Sequence, residues 1–145
     1  MTSRSLSMTQ WTGWIFSLTL GSGILSGCTH TGTVPARTHA ITIQDTVSPQ
    51  RLYVQVGEEV RWQNLRSQPV HISLLTPLSS DSVSCATGFS QWGVLNDTAT
   101  IQPNAYASLC FVKAGSVQYN VWLNPDDPLR SMTPTAKVIV SANPS

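Results

Sequence analysis

Hydrophobic and polar residues alternate along most of the chain from residue 40 onward. In residues 59–64, Val60 and Trp62 fall on one side of the alternation, and Arg61 and Gln63 fall on the other. A period of two is typical of a β-strand with one buried face, and Gly, Pro, Asn or Asp separates the runs. The pattern predicts eight strands, at residues 40–44, 51–56, 59–64, 70–75, 98–101, 107–111, 116–122 and 136–141.

These strands predict an all-β domain. Short strands cannot all bury their apolar faces in one flat sheet, whereas two packed sheets bury them against each other. No segment shows the i, i+3, i+4, i+7 spacing of a stable helix, and only residues 79–92 leave room for a turn or two. We therefore predict a two-sheet β-sandwich of seven to eight strands, with Trp62 in its core. Gly57 is expected to supply the positive φ of a hairpin turn, and Gly115 to make a second hairpin.

The first 27 residues have a different pattern. A single charge, Arg4, precedes a short apolar stretch between Trp11 and Leu25, and small residues follow before a cysteine. This order is typical of a secretory signal. Glycine and serine interrupt the apolar stretch, which falls short of the roughly 20 apolar residues of a spanning helix. We interpret residues 1–27 as a signal peptide, and a retained membrane anchor is the less favoured alternative.

Residues 25–28, Leu-Ser-Gly-Cys, resemble the lipobox of bacterial lipoproteins. The resemblance implies that Cys28 carries acyl chains such as palmitate, which hold a protein on a bilayer stably. The alternative is a chance match within an ordinary cleaved signal. Thr29 stands where an aspartate would retain a lipoprotein at the inner membrane, so the outer membrane is favoured, with the domain facing the periplasm. Residues 28–38 are predicted to be a flexible linker and residues 39–145 the folded domain.

Charge is sparse along the chain. The 145 residues include 8 Lys and Arg and 7 Asp and Glu, and only 10% of residues are charged against 41% that are hydrophobic. This balance argues against disorder, and the absence of a basic run argues against nucleic-acid binding. Removal of residues 1–27 takes away Arg4 and no acid, which leaves 7 − 7 = 0 formal charges. His30 and His39, in or beside the linker, are expected to be solvated.

Two cysteines remain once Cys28 is assigned to lipid. Cys85 and Cys110 form an even pair in an exported chain, and a disulfide is the favoured interpretation. Closing a loop of about 26 residues would stabilise the fold by roughly 3 to 3.5 kcal/mol. Two free thiols acting as metal ligands or redox groups are the alternative, which the lack of a CxxC or CxxH spacing makes weaker.

Three segments resemble the sequence signatures of cupredoxins, the superfamily of plastocyanin and azurin. Residues 56–71, with VGEEVRWQN followed by PVH, are similar to the VGDxVxWxN...PH signature. Residues 101–121 are similar to the family's LxPGxxxxxxFxxAGxYxYxC block, and residues 137–140 match its closing strand. The resemblance implies a cupredoxin-like Greek-key sandwich.

The same resemblance implies where a type 1 copper ion would bind. Such a site takes two imidazoles, a thiolate and a weak axial thioether. By position His71 corresponds to the first histidine and Val121 to the cysteine, while residues 122–134 contain no histidine. Met132 lies near the axial position, and Asp126 is a further candidate ligand. The missing thiolate indicates a degenerate site, so no cofactor is expected, and copper at His71 is an alternative to the interpretation of His71 as a half-buried strand residue.

Three functions follow from these features. The first is a membrane-anchored envelope lipoprotein that acts as a binding or structural module, with a possible envelope protein partner. Its binding surface would be the loops at residues 76–97 and 122–134, which carry Trp92 and Trp122. The second is an atypical copper-binding or electron-transfer protein centred on His71. An enzyme is the least supported, because no nucleophile or zinc motif is present.

Overall fold

The computed structural model of the protein describes residues 37–142. The strands are β1 Thr38–Ile43, β2 Val47–Ser48, β3 Arg51–Gln55, β4 Glu59–Asn64, β5 Val70–Leu74, β6 Val83–Thr87, β7 Ser90–Gln91, β8 Val94–Leu95, β9 Thr98–Ile101, β10 Tyr106–Phe111, β11 Gly115–Trp122 and β12 Ala136–Ser141. A 3-10 turn covers Ser80–Ser82, and α1 covers Pro128–Ser131. The predicted signal peptide, Cys28 and His30 lie outside the described residues.

All eight predicted strands are present, with ends that shift by a residue or two. β1 begins at Thr38, which the predicted linker included. The short strands β2, β6, β7 and β8 were not predicted, because three of them have only two residues and β6 lies in a segment expected to be a loop. The 3-10 turn is the single helical turn described within residues 79–92.

The strands form two five-stranded sheets and a small hairpin. The first sheet has the order β2-β1-β4-β10-β6 and the second has the order β3-β12-β11-β5-β9. Both sheets are mixed, since β1 pairs in parallel with β4, and β3 pairs in parallel with β12. The predicted two-sheet sandwich is confirmed. Within residues 37–142, no helix has the length and hydropathy to cross a membrane.

One core lies between the two sheets. Trp62 of β4 is fully buried, and its ring centroid lies 5.4 Å from that of Tyr119 in β11 and 5.5 Å from that of Phe89, with the rings edge to face. This geometry is favourable for aromatic pairs. Burial raises the pKa of the Tyr119 phenol to about 12. The alternating residues of the predicted strands thus meet in one core, with Trp62 where it was expected.

The two predicted hairpins are instead connections between the sheets. Gly57 has a φ of +90°, as predicted, but it joins β3 in the second sheet to β4 in the first. Gly115 likewise lies after the passage from β10 in the first sheet to β11 in the second. Local sequence predicts a turn, whereas the choice of sheet depends on strands far away in the chain.

The disulfide between Cys85 and Cys110 is present. It links directly opposed residues of β6 and β10, whose Cα atoms are 4.9 Å apart. The segment between β5 and β9 is therefore attached to the first sheet through β6, as the pairing of these cysteines predicts.

The sandwich has two distinct ends. At the N-terminal end, Thr38 begins β1 opposite Glu59, and β12 finishes at Ser141. At the loop end, Asn64 finishes β4, and Trp122 finishes β11 opposite His71 of β5. The strands between them have about six residues, which corresponds to a separation of roughly 20 Å.

Candidate ligand-binding face

His71 and Val121 lie on opposite faces of the second sheet. The β5–β11 register pairs Ile72 with Val121 and His71 with Trp122. Directly opposed residues share a face, and both Ile72 and Val121 are fully buried. The His71 imidazole is half-buried on the outer face, where its ring centroid lies 5.7 Å from that of Trp122. The structure therefore does not bring together the two positions that the cupredoxin motifs place at a copper ion.

His71 faces outward because successive residues of a strand point to opposite faces of the sheet. The residue that follows Pro69 is Val70, which is fully buried, so His71 falls on the other face of the strand. A shift of one residue along a strand exchanges its two faces. The PVH segment thus directs a valine into the core at this position.

Met132, the other predicted sulfur ligand, lies on the outer face as well. It forms an antiparallel bridge with Trp122, and its side chain is exposed. Thr100 of β9 is paired with His71, so a row of four residues crosses the sheet: Thr100, His71, Trp122 and Met132. The indole of Trp122 therefore occupies the position between the imidazole and the thioether.

The residues present do not fit a type 1 copper site. Cys85 and Cys110 are joined in the disulfide, so neither supplies a thiolate. Among residues 37–142, no three His, Cys, Asp or Glu side chains are grouped so that they could hold a metal ion. Nδ1 of His71 lies 3.1 Å from Oγ1 of Thr100, which fixes the imidazole by a hydroxyl group rather than by a backbone carbonyl.

Two depressions meet at His71, and a third shares one lining residue with each of them. One, of about 370 Å³, is lined by His71, Trp122, Pro125 and Pro128. A second, of about 380 Å³, extends from His71 and Thr100 to Gln91 of β7. A third, of about 450 Å³, runs from Thr100 to Pro125 and the loop before β5. We call this connected surface the His71 groove.

Asn64 braces one wall of the groove. Its side chain is fully buried, and Nδ2 donates to the carbonyl oxygens of Gln68 at 2.8 Å and Ile101 at 3.0 Å. Its Oδ1 accepts a hydrogen bond from the backbone N–H of Arg66 at 2.9 Å. One side chain therefore connects the loop before β5 to the end of β9. The sequence motif includes Asn64, but Ile101 lies 37 residues away and cannot be inferred from the motif as its partner.

The loop between β11 and β12 forms the other wall. The backbone N–H of Val121 donates to Oγ1 of Thr133 at 3.1 Å, and the N–H of Thr133 donates to the Val121 carbonyl at 2.8 Å. Oγ of Ser131 donates to the carbonyl of Asn124 at 2.8 Å. These bonds close the base of the loop and hold Pro125 and Pro128 beside Trp122.

Two large apolar side chains lie near the edges of the groove. Trp92 is 95% exposed at the tip of the β7–β8 hairpin, next to the lining residue Gln91. Leu129 is 95% exposed in α1, next to the lining residue Pro128. Trp92 has a φ of +56° and Gly93 a φ of +79°, as in a type I′ hairpin turn. Both segments expected to form the binding surface therefore contribute to this face, but Trp122, not Trp92, lines the groove.

The buried carboxylates of the described residues, Glu58 and Glu59, both lie at the N-terminal end. Nε2 of His39 is 2.8 Å from Oε2 of the buried Glu58, so the expectation that His39 is solvated is wrong. A hydrogen bond from the Gln55 backbone N–H holds the pKa of Glu58 below its usual value; burial opposes this effect, and His39 and Arg37 reinforce it.

Glu59 is also buried and lies beside a second cation. Burial tends to raise the pKa of Glu59, but the hydroxyls of Ser108 and Thr38 and the guanidinium of Arg61 outweigh it and keep the pKa low. Oγ1 of Thr38 donates to Oε2 at 2.8 Å, and Arg61 Nη2 lies 3.0 Å from the same oxygen. Together Glu58 and Glu59 bind the start of β1.

No protein-family model and no curated protein matches the sequence. Among solved structures, the chain is similar to a reduced mutant of amicyanin, at 19% identity over 75% of this chain and 87% of that chain, with a TM-score of 0.49. The Cu(I) form of another amicyanin mutant shares 20% identity over the same fractions, with a TM-score of 0.49. These likenesses concern the fold alone, and the copper is that of amicyanin. The two mixed sheets have the all-β, two-layer architecture that was predicted.

Proposed function

We propose that the protein is a lipid-anchored module of the bacterial cell envelope that binds its partner through the His71 groove, without catalysis and without a type 1 copper ion. The observation that carries this proposal is the position of the groove. β1 begins at the N-terminal end of the sandwich, whereas Trp122 and the groove lie at the loop end. A chain acylated at Cys28 would be attached to the bilayer through the end of the sandwich where β1 begins, so the groove at the opposite end would not be the point of attachment.

The chemistry of the groove supports a binding role. Its single imidazole, His71, has the Thr100 hydroxyl as its hydrogen-bond partner within residues 37–142, and no carboxylate orients it. A general base that activates a nucleophile needs such an orienting group. The bracing bonds of Asn64 and Thr133 fix the groove walls, which favours recognition by a preformed surface.

Acylation and the role of the groove are tested in cells. Mass spectrometry of the membrane-extracted protein is expected to find acyl chains on Cys28, and Cys28→Ser is expected to release the protein into the soluble fraction. A photo-crosslinking residue at position 129 is then expected to capture an envelope component, whereas the same residue at position 53 is not. Leu129 and Tyr53 are both exposed, but Tyr53 lies on β3 at the far edge of the second sheet. Equal capture at the two positions would contradict the proposal.

Copper binding around His71 is the alternative to this proposal. Anaerobic titration of the purified protein with Cu(I) and Cu(II), with His71→Ala as the control, distinguishes the two. The proposal expects no difference between the wild type and the variant. Stoichiometric, tight binding that the variant loses would establish the copper protein instead.

A further inference from the structure

We propose that the His71 groove binds a neutral oligosaccharide, an inference that rests on the proposed function and names its ligand class. The first argument is charge. Of the residues that the structure describes, His71 and Asp126 are the only ones with ionisable side chains that line the three depressions. The ion pairs of Glu58 and Glu59 lie at the opposite end of the sandwich. A strongly charged ligand would find little complementary charge in the groove.

The second argument is the kind of polar group that lines the groove. Five lining residues carry side-chain amides: Gln68, Gln91, Asn96, Gln102 and Asn124. An amide both donates and accepts hydrogen bonds, as does the hydroxyl of Thr98 or Thr100. Sugar hydroxyl groups have the same dual character. Within residues 37–142, the four amides other than Asn124 make no side-chain hydrogen bond, so their donors and acceptors remain for a ligand.

The third argument is the aromatic wall. Trp122 lines a depression whose other walls are His71 and two prolines, Pro125 and Pro128. The flat indole face suits the C–H groups on one face of a pyranose ring, while neighbouring amides can bind its hydroxyls. His71 and Met132 pair with Trp122 from either side, and the imidazole centroid lies 5.7 Å from that of the indole. An aromatic platform flanked by uncharged polar groups is thus assembled from three strands and a loop.

The dimensions indicate a chain of sugars rather than a single unit. Each depression has a volume of about 370 to 450 Å³, within the range of about 300 to 1,000 Å³ for ligand sites. Neighbouring depressions share His71, Thr100 and Pro125, so an elongated ligand can pass from one to the next. An apolar peptide would leave most of the lining amides without partners, at a cost for each one buried.

The experiment uses the full-length protein in a detergent without a sugar headgroup. Maltohexaose, cellohexaose and chitohexaose are each titrated by calorimetry, with the intrinsic fluorescence followed in parallel. At least one hexasaccharide is expected to bind, and Trp122→Ala is expected to weaken its binding at least tenfold. Trp92→Ala, which removes an exposed indole from outside the groove, is the matched control and is expected to leave the affinity unchanged.

A second variant tests the proposal even if Trp122→Ala does not fold. Gln102→Ala removes one lining amide from an exposed loop position and is expected to weaken binding two- to fivefold while the thermal unfolding midpoint stays unchanged. Absence of binding to all three hexasaccharides, or equal binding by the wild type and both groove variants, would overturn the proposal. If position 129 still captures a protein partner in that case, the proposed function stands and the oligosaccharide does not.

Discussion

The two ends of the sandwich use polar groups in opposite ways. At the N-terminal end, the carboxylates of Glu58 and Glu59 are buried and accept hydrogen bonds from Gln55, Thr38 and Arg61. At the loop end, the lining amides of the His71 groove face solvent. The buried charges thus attach the first strand, and the groove lining, in which His71 and Asp126 are the ionisable side chains, is left for recognition.

The difference follows from the cost of burying polar groups. A buried carboxylate destabilises the fold unless it is paired with a cation and hydrogen-bonded. Both Glu58 and Glu59 meet these two conditions. An exposed amide costs little when it has no protein partner, because water solvates it. A group left open in this way can exchange water for a ligand hydroxyl. The N-terminal end, with its buried carboxylates, and the loop end, with its exposed amides, should therefore respond differently to mutation and to pH.

The largest effect is expected from the disulfide, which connects β6 to β10 next to the N-terminal end. The double variant Cys85→Ser/Cys110→Ser is expected to lose about 3.5 kcal/mol of unfolding free energy, because the unfolded chain regains the entropy of a closed loop. Urea denaturation of oxidised wild type and of the variant measures the difference. The reduced wild type should match the variant, and a loss below about 1 kcal/mol in either would contradict the expected role of the bridge.

At the loop end the corresponding change is Asn64→Ala. It removes the donor from a buried hydrogen bond to the Ile101 carbonyl and from a partly buried one to the Gln68 carbonyl, so we expect a loss of about 2 to 3 kcal/mol in unfolding free energy. Urea denaturation again provides the measurement. Gln63→Ala, one residue earlier and partly exposed, is the control and is expected to change stability by less than about 0.5 kcal/mol. Equal effects of the two substitutions would show that Asn64 does not brace the loops.

The comparison also predicts the pH dependence of stability. The pKa values of Glu58 and Glu59 are lowered in the folded state, so their stabilisation is present above the ordinary value of 4.5 and is lost as pH falls through it toward the folded values. Around these carboxylates lie His39, Arg37, Arg61, Thr38, Ser108 and the Gln55 N–H. Thermal unfolding of wild type between pH 6 and pH 3 should show this loss.

Two variants assign the acid effect to one end of the molecule. Glu58→Gln/Glu59→Gln is expected to be less stable at pH 6 and to show a flatter pH profile, since it lacks the two titrating groups. Asp126→Asn removes a carboxylate from the loop end and is expected to follow the wild-type profile. If Asp126→Asn flattens the profile and the double glutamine variant does not, the division between the ends is wrong.

The sequence predicts the two parts of the molecule unequally, for a physical reason. Strands such as β4 and β12 can be predicted from the period-two alternation of their own residues. The disulfide can be predicted because two cysteines remain in an exported chain. The partner of His39 is Glu58, 19 residues later, and the partners of Asn64 include a residue 37 positions later. Such contacts depend on which strands share a sheet, and no local pattern encodes this choice.

His71 shows the same limit within one strand. The motif placed it at a metal position, but a single residue after Pro69 decides which face of β5 the imidazole occupies. The sequence indicates two segments of the groove, residues 76–97 and 122–134, as a binding surface. It does not indicate the lining residues of β5 and β9, because their place depends on the sheet order.

The smallest effect concerns Trp92, which lies at the tip of the β7–β8 hairpin and does not line the groove. Its φ of +56° is unfavourable for a bulky side chain, and its indole is almost fully exposed, so the tip of the hairpin carries strain without burial. Trp92→Asn creates the Asn-Gly pair that a type I′ turn prefers and is expected to raise the unfolding free energy by about 0.5 to 1 kcal/mol. Gly93→Ala adds a Cβ that would have no atom within 4 Å, so the substitution tests only the backbone strain at a φ of +79°. We expect it to lower the unfolding free energy by about 1 kcal/mol. Loss of stability in Trp92→Asn would mean that the indole contributes to the fold, and Trp92→Ala would then no longer be a neutral control for Trp122→Ala.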